Sequence, residues 1–256
     1  MQRKVARISQ ELTRNISGWQ EIEAIVLGEA AEIKTLDPYF NINLDVYHNG
    51  SLIPGNDRRE RLASPLAFET APAYPEDRFL MEDLPVRVRY QDTARFDLLL
   101  ERIHDRLWVY REYGTITFYR LQKGQVLYTK SPWLETTQQR LAELPEHFWT
   151  SVVVSSRALV TYYLNDLNAA VYREDNLFYR LASAGFLRAL CCFLFAHNRR
   201  FEPSGRMLYQ KVMELPKLPD EFSGRFESFL RVGEGSSPGR KREIAELLAK
   251  SILAMT

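Results

Sequence analysis

Cysteine is scarce in this chain, with two residues in 256, and both sit together as Cys191 and Cys192. Adjacent cysteines inside an apolar helical pattern suit buried free thiols better than a disulfide or a metal pair. Histidine is also sparse: His48, His104, His147 and His197 include no two at metal-ligand spacing, which leaves surface or capping roles. Charge of either sign is not in excess, since 34 Lys and Arg against 33 Asp and Glu leave a formal net charge of +1. The chain as a whole therefore has no bias toward nucleic acid or a membrane surface, and any anion site must be local. The short basic loops PGNDRRERL and PGRKRE lack interleaved aromatics and read as solvated charge, so nucleic acid is not an expected partner. No apolar run approaches the roughly 18 residues of a membrane span, and MQRKVARISQELTRN has no apolar stretch after its charges. A soluble, cytoplasmic protein with no membrane partner is expected. VVVSSRA lacks a nucleophile-elbow pattern, which argues against serine hydrolysis, and no internal repeat or low-complexity segment is evident.

What is present is a globular composition, 45% hydrophobic and 26% charged, on a chain longer than the roughly 100–200 residues of one typical domain. Two domains are expected, 1–140 and 141–256. The first mixes periods. A helix near Val5–Arg14 precedes EIEAIVLG, a short buried strand. FNINLDVY alternates, with Phe40, Ile42, Leu44 and Val46 on one face and Asn41, Asn43, Asp45 and Tyr47 on the other. LPVRVRY sets Val86, Val88 and Tyr90 against Arg87 and Arg89 in the same way. DTARFDLLLERIHDRL reads as an amphipathic helix capped by Asp92, and TITFYRLQKGQVLYT as a hairpin around Lys123-Gly124. From about residue 147 the period is helical, with two long apolar helices and a final helix opened by Pro238, which predicts a helical bundle.

The stretch VLGEAAEIKTLDPYFNINLDVYHNG reads as strand, Gly turn, short helix and second strand. It resembles the nucleotidyltransferase superfamily, whose fold is shared with polymerase beta. In that family a strand ends in hydrophobic-Gly-Gly/Ser, and about a dozen residues later a strand carries two carboxylates at i and i+2. Residues i and i+2 on a strand point the same way, so the two acids converge on divalent cations that hold a nucleoside triphosphate. The resemblance implies an α+β chain, a nucleotidyltransferase-like mixed α/β domain followed by a C-terminal helical bundle.

The layout is kept without the pair of acids. Leu27, Gly28 and Glu29 occupy the first motif, and either Asn41 and Asn43, or Asn43 and Asp45, occupy the second. Carried over, the resemblance names Asp45, Asn43 and Asn41 as the catalytic positions, with Asp45 and Asn43 as metal ligands. Gly28, Glu29, Arg87 and Arg89 are then the nucleotide or phosphate contacts. A third family acid comes from a later strand, for which PVRVRY is the candidate, yet its alternate positions are Arg87 and Arg89. Arginines beside Asp45 make ion pairs or bind an anion without metal. Other acids that a different strand register would bring in are Glu32, Asp37, Asp92 and Asp97. Arg199, Arg200 and Lys211, on the helical half, are further candidates for phosphate contact. The expectation is a catalytically impaired member that binds a nucleotide or other anion, or serves as a scaffold for a protein partner, with no cofactor. The alternative is an active, Mg²⁺-dependent enzyme moving a nucleoside monophosphate from NTP to a small-molecule, protein or RNA hydroxyl.

Overall fold

A computed structural model describes residues 2–28, 39–62, 65–70, 75–103, 115–233 and 237–255. The chain divides into two compact units, Met1–Ile103 with Thr117–Glu143, and His104–Ile116 with Leu144–Thr256. The architecture is α+β, with a mixed sheet in the first unit and helices in the second.

In the first unit the elements are α1 (Gln2–Ser17), β1 (Ile22–Leu27), β2 (Ile42–His48), α2 (Gly55–Arg61), β3 (Leu66–Thr70), β4 (Glu76–Met81) and β5 (Leu84–Asp92). They continue with α3 (Thr93–Glu101), α4 (Ile116–Lys123), β6 (Gln125–Thr129) and α5 (Trp133–Ala142). One six-stranded sheet runs β3-β4-β5-β2-β1-β6. β2 and β5 are parallel neighbours at its centre, and the other pairings are antiparallel. The alternation in β2 and β5 decides which face is apolar: Ile42, Leu44, Val46, Val86, Val88 and Tyr90 share the core with Ile25 and Leu27 of β1. α1 covers this face with Val5, Ile8, Leu12 and Ile16, spaced three and four apart along one helical stripe. Each such side chain, fully buried, contributes about 1.5–3 kcal/mol. Lys4 and Arg7 of α1 also pair with Glu82 in the β4–β5 turn.

α3 begins as the sequence predicts, with the Asp92 carboxylate accepting from the backbone N–H groups of Ala94 (2.8 Å) and Arg95 (3.4 Å). The expected hairpin at TITFYRLQKGQVLYT does not form. Its first half is helix α4, and its second half is β6, which pairs antiparallel with β1. The physical reason lies at Gly124, where an added Cβ would come within 2.3 Å of Val26 Cγ1 and 2.5 Å of the Arg120 carbonyl oxygen. Its N–H closes the last helical turn on that carbonyl at 2.8 Å, so this glycine ends a helix against β1 rather than turning a hairpin.

The second unit contains α6 (Glu146–Tyr172), α7 (Asn176–His197), α8 (Leu208–Met213), α9 (Phe222–Leu230) and α10 (Pro238–Leu253). α6 and α7 approach closely at Gly185, where any Cβ would meet the Tyr163 ring at 2.3 Å. Phe186, Leu190, Phe193 and Leu194 of α7 fill a core with Phe226, Phe229, Leu248 and Ile252 of α9 and α10. By length and composition α7 alone is sufficient to cross a membrane among the described residues, contrary to the sequence reading, and its Phe186, Leu190, Phe193 and Leu194 are buried in this core. The thiols of Cys191 and Cys192 are free, as expected, and burial pushes both up, Cys191 to about 12. They are poor nucleophiles.

Candidate functional site

The second face of the sheet is polar, and strand register assembles it. Parallel pairing of β2 with β5 sets Asn43 beside Arg87 and Asp45 beside Arg89. Antiparallel pairing of β4 with β5 sets Arg78 beside Arg87 and Glu76 beside Arg89. Paired residues share a face, so Asn43, Asp45, Arg87, Arg89, Arg78 and Glu76 form a grid two residues deep across three strands, with Glu69 of β3 next to Arg78.

A residue not anticipated from the sequence enters this grid from α4. Arg120 is 5% exposed, and its Nε lies 2.6 Å from Asp45 Oδ2. Asp45 itself is 1% exposed. Its other oxygen is 3.5 Å from Gln91 Nε2 and 3.9 Å from Arg89 Nε. Aromatic packing positions α4: Phe118 meets Phe96 edge to face, and Phe96 and Trp133 both pack on Tyr47. Gly28 completes the fit. Its N–H donates to the Asn43 carbonyl (2.9 Å), and a Cβ there would stand 3.0 Å from the Arg120 guanidinium. The signal available in sequence was a single arginine inside the otherwise uncharged, largely apolar run ITFYRL.

Burial pushes the Asp45 carboxyl above its ordinary range, with Arg120 and then Arg87 pulling against that shift. Glu76 behaves oppositely. Burial alone would raise it, but hydrogen bonds from Arg87 and Arg78 outweigh burial and hold it below the usual carboxylate value. Both arginines lie 2.7 Å from it.

The structure thus brings Asp45, Asn43, Gly28, Arg87 and Arg89 together. Asn41 is exposed, precedes β2, and accepts the Asn43 amide on its carbonyl at 3.2 Å. Glu29, Glu32 and Asp37 lie outside the described residues, as does the short helix read between the two strands. Asp92 is engaged in capping α3, and Asp97 takes the Trp133 indole (3.0 Å) and Arg140 (2.6 Å), so neither joins Asp45. In the second unit, Arg199 pairs with Glu146, and Lys211 lies 3.2 Å from Glu214.

This donor set does not fit Mg²⁺. Mg²⁺ is held through one or two free carboxylates together with water and substrate phosphate oxygens. Asp45 already faces a guanidinium, Glu76 is divided between two arginines, and Asn43 brings no charge. Among the described residues no group of three or more His, Cys, Asp or Glu is placed to hold a metal ion.

A family model described as a domain of unknown function (DUF4037) matches residues 110–206, a stretch shorter than half the chain. No curated protein matches the sequence. Among solved structures, the chain is similar to a nucleotidyltransferase-like protein from Exiguobacterium sibiricum 255-15, with 11% identity and a TM-score of 0.48. The alignment covers 96% of this chain and 74% of that one.

Proposed function

We propose that the first unit is a nucleotidyltransferase-type domain in which metal-dependent transfer is impaired, and that it works by binding a nucleotide or other anion. The observation that carries this reading is the ion pair between Arg120 and Asp45. In a domain of this type, cations held by paired carboxylates neutralise the triphosphate and stabilise charge during in-line attack. Here the one carboxylate on β2 is neutralised by a side chain of the same chain, and its strand neighbour is Arg89. A tethered guanidinium offers a single charge and no open coordination position. Without the metals, on the order of several kcal/mol of transition-state stabilisation is missing. A scaffold role toward a protein partner is compatible with the same loss. Active transfer with one metal on Asp45 and Asn43 would require Arg120 to leave Asp45.

Thermal unfolding with each nucleoside triphosphate, with and without Mg²⁺ or Mn²⁺, separates these readings. Binding without turnover predicts that any stabilisation persists in a chelator. A metal-dependent rise in Tm that disappears in Asp45→Ala would overturn it and restore the enzyme reading.

A further inference from the structure

We infer that Arg87, Arg89 and Arg120 form an oxyanion subsite that takes a phosphate or pyrophosphate group without a divalent metal. This rests on the reading of the polar face as metal-independent, and it names the ligand class and the residues.

The first support is an imbalance of donors and acceptors. Among the described residues, Arg87 Nε, Arg89 Nε and Arg120 Nη2 are buried without a hydrogen-bond partner. They belong to neighbouring positions on the polar face, where register places Arg87 and Arg89 beside Asn43 and Asp45, and Arg120 reaches Asp45 from α4. Against these donors stand the Asp45 carboxylate, in contact with Arg120 but without hydrogen-bond alignment on Oδ2, and Glu76. Buried donors without acceptors are uncommon in folded proteins, and a group of them on one face calls for an acceptor with several lone pairs. A phosphate oxyanion supplies those lone pairs and the opposite charge.

The second support is geometry of access. The side chains of Arg87 and Arg89 are 37% and 30% exposed, whereas Arg120 is 5% exposed. Two arms reach solvent from i and i+2 of one strand, and the third guanidinium forms a buried floor against Gly28. Guanidinium forks bind phosphate oxygens in pairs.

The third support is the behaviour of Glu76, whose two oxygens lie 2.7 Å from Arg87 and Arg78. An internal carboxylate already accepts from one arm of the subsite. An incoming anion competes with it for Arg87 while Arg89 remains open. Among the described residues the charge count on the face favours the anion, with Arg78, Arg87, Arg89 and Arg120 against Asp45, Glu76 and Glu69.

The test uses the full chain in EDTA, titrated by calorimetry with inorganic phosphate, pyrophosphate and ATP, with chloride at matched ionic strength as reference. Pyrophosphate should bind, and Arg89→Gln should weaken it about tenfold or more, as expected for a lost charge-assisted contact. Glu76→Gln should tighten binding severalfold by releasing Arg87, a gain that loss of folding cannot imitate. Arg87→Lys and Arg89→Lys keep the charge but lose the fork, and should fall between wild type and the glutamine variants. Equal affinity in wild type, Arg89→Gln and Glu76→Gln, or no binding beyond the chloride reference, overturns the subsite. Binding that appears only with Mg²⁺ overturns the metal-independent reading as well. Absence of binding in EDTA with no Mg²⁺ response removes the subsite alone.

Discussion

Two buried arginine–aspartate pairs lie on opposite faces of one sheet, and they are satisfied to different degrees. On the core face Arg58 of α2 holds both oxygens of Asp77 at 2.7 Å, donates to the Ile53 carbonyl at 2.7 Å and to Thr70 Oγ1 at 2.9 Å, and stacks over Tyr90. The Tyr90 hydroxyl adds a third bond to Asp77 at 2.8 Å. On the polar face Arg120 makes one close approach to Asp45, while its Nη2 has no hydrogen-bond partner among the described residues. A closed network locks an element in place, and here it fastens α2 to the sheet. An open network with surplus donors has capacity for a ligand. The same residue pair thus serves structure on one face and, on our reading, recognition on the other.

The largest expected effect breaks the closed pair. Arg58→Met leaves Asp77, which is fully buried, without its cation and should cost about 3–5 kcal/mol in urea unfolding. Arg120→Met should cost less, about 1–3 kcal/mol, because Asp45 is already partly destabilised as an anion and can take a proton instead. The sign with pH follows from the raised Asp45 carboxyl. Between its ordinary value near 3.8 and its higher folded value, the folded state binds more protons than the unfolded state. The stability from this group is complete below 3.8 and is lost as pH rises through the folded value. Arg120→Met removes an interaction that favours the anion, so this loss should extend to higher pH, and adding Asp45→Asn should abolish it. Equal costs for Arg58→Met and Arg120→Met would erase the distinction between the two faces.

Much of this arrangement was legible before the fold was known, and the reasons are local. Strict alternation in FNINLDVY and LPVRVRY marks two strands with one polar face each, and Asp92 marks a helix start, because these signals depend on neighbours in sequence. Long apolar runs likewise mark α6 and α7. Arg120 was not legible as part of the site. In α4 the consecutive β-branched and aromatic residues Ile116, Thr117, Phe118 and Tyr119 suit a strand as well as a helix, and Lys123-Gly124 imitates a hairpin turn. Only the contact of Gly124 with Val26, about a hundred residues earlier in sequence, decides between them. The carboxylate on β2 was therefore visible, whereas the cation that answers it depends on tertiary packing.

A smaller effect is expected at Gly28. In Gly28→Ala the new methyl would press on the Arg120 guanidinium at about 3.0 Å. Overpacking of this kind costs about 1 kcal/mol where the neighbour is a side chain able to yield. The same change should weaken pyrophosphate binding if Arg120 is the floor of the subsite. A loss of stability with unchanged binding would assign Arg120 to structure alone and bring the two faces into line.

The smallest effect distinguishes the acids of the polar face from each other. Glu76 is held below its ordinary value of 4.5, so in the window beneath 4.5 the folded state binds fewer protons than the unfolded state. Its contribution is present above 4.5 and is lost as pH falls through the lowered folded value, opposite in direction to Asp45. Glu76→Gln should flatten the acid limb of the stability curve below 4.5 and leave the Asp45 limb unchanged. Near neutral pH the cost should be within about 1 kcal/mol, because the pair is only partly shielded from water. If both limbs change together, Glu76 and Asp45 titrate as one coupled unit through the arginines, and the polar face is a more closed network than its unpartnered donors indicate.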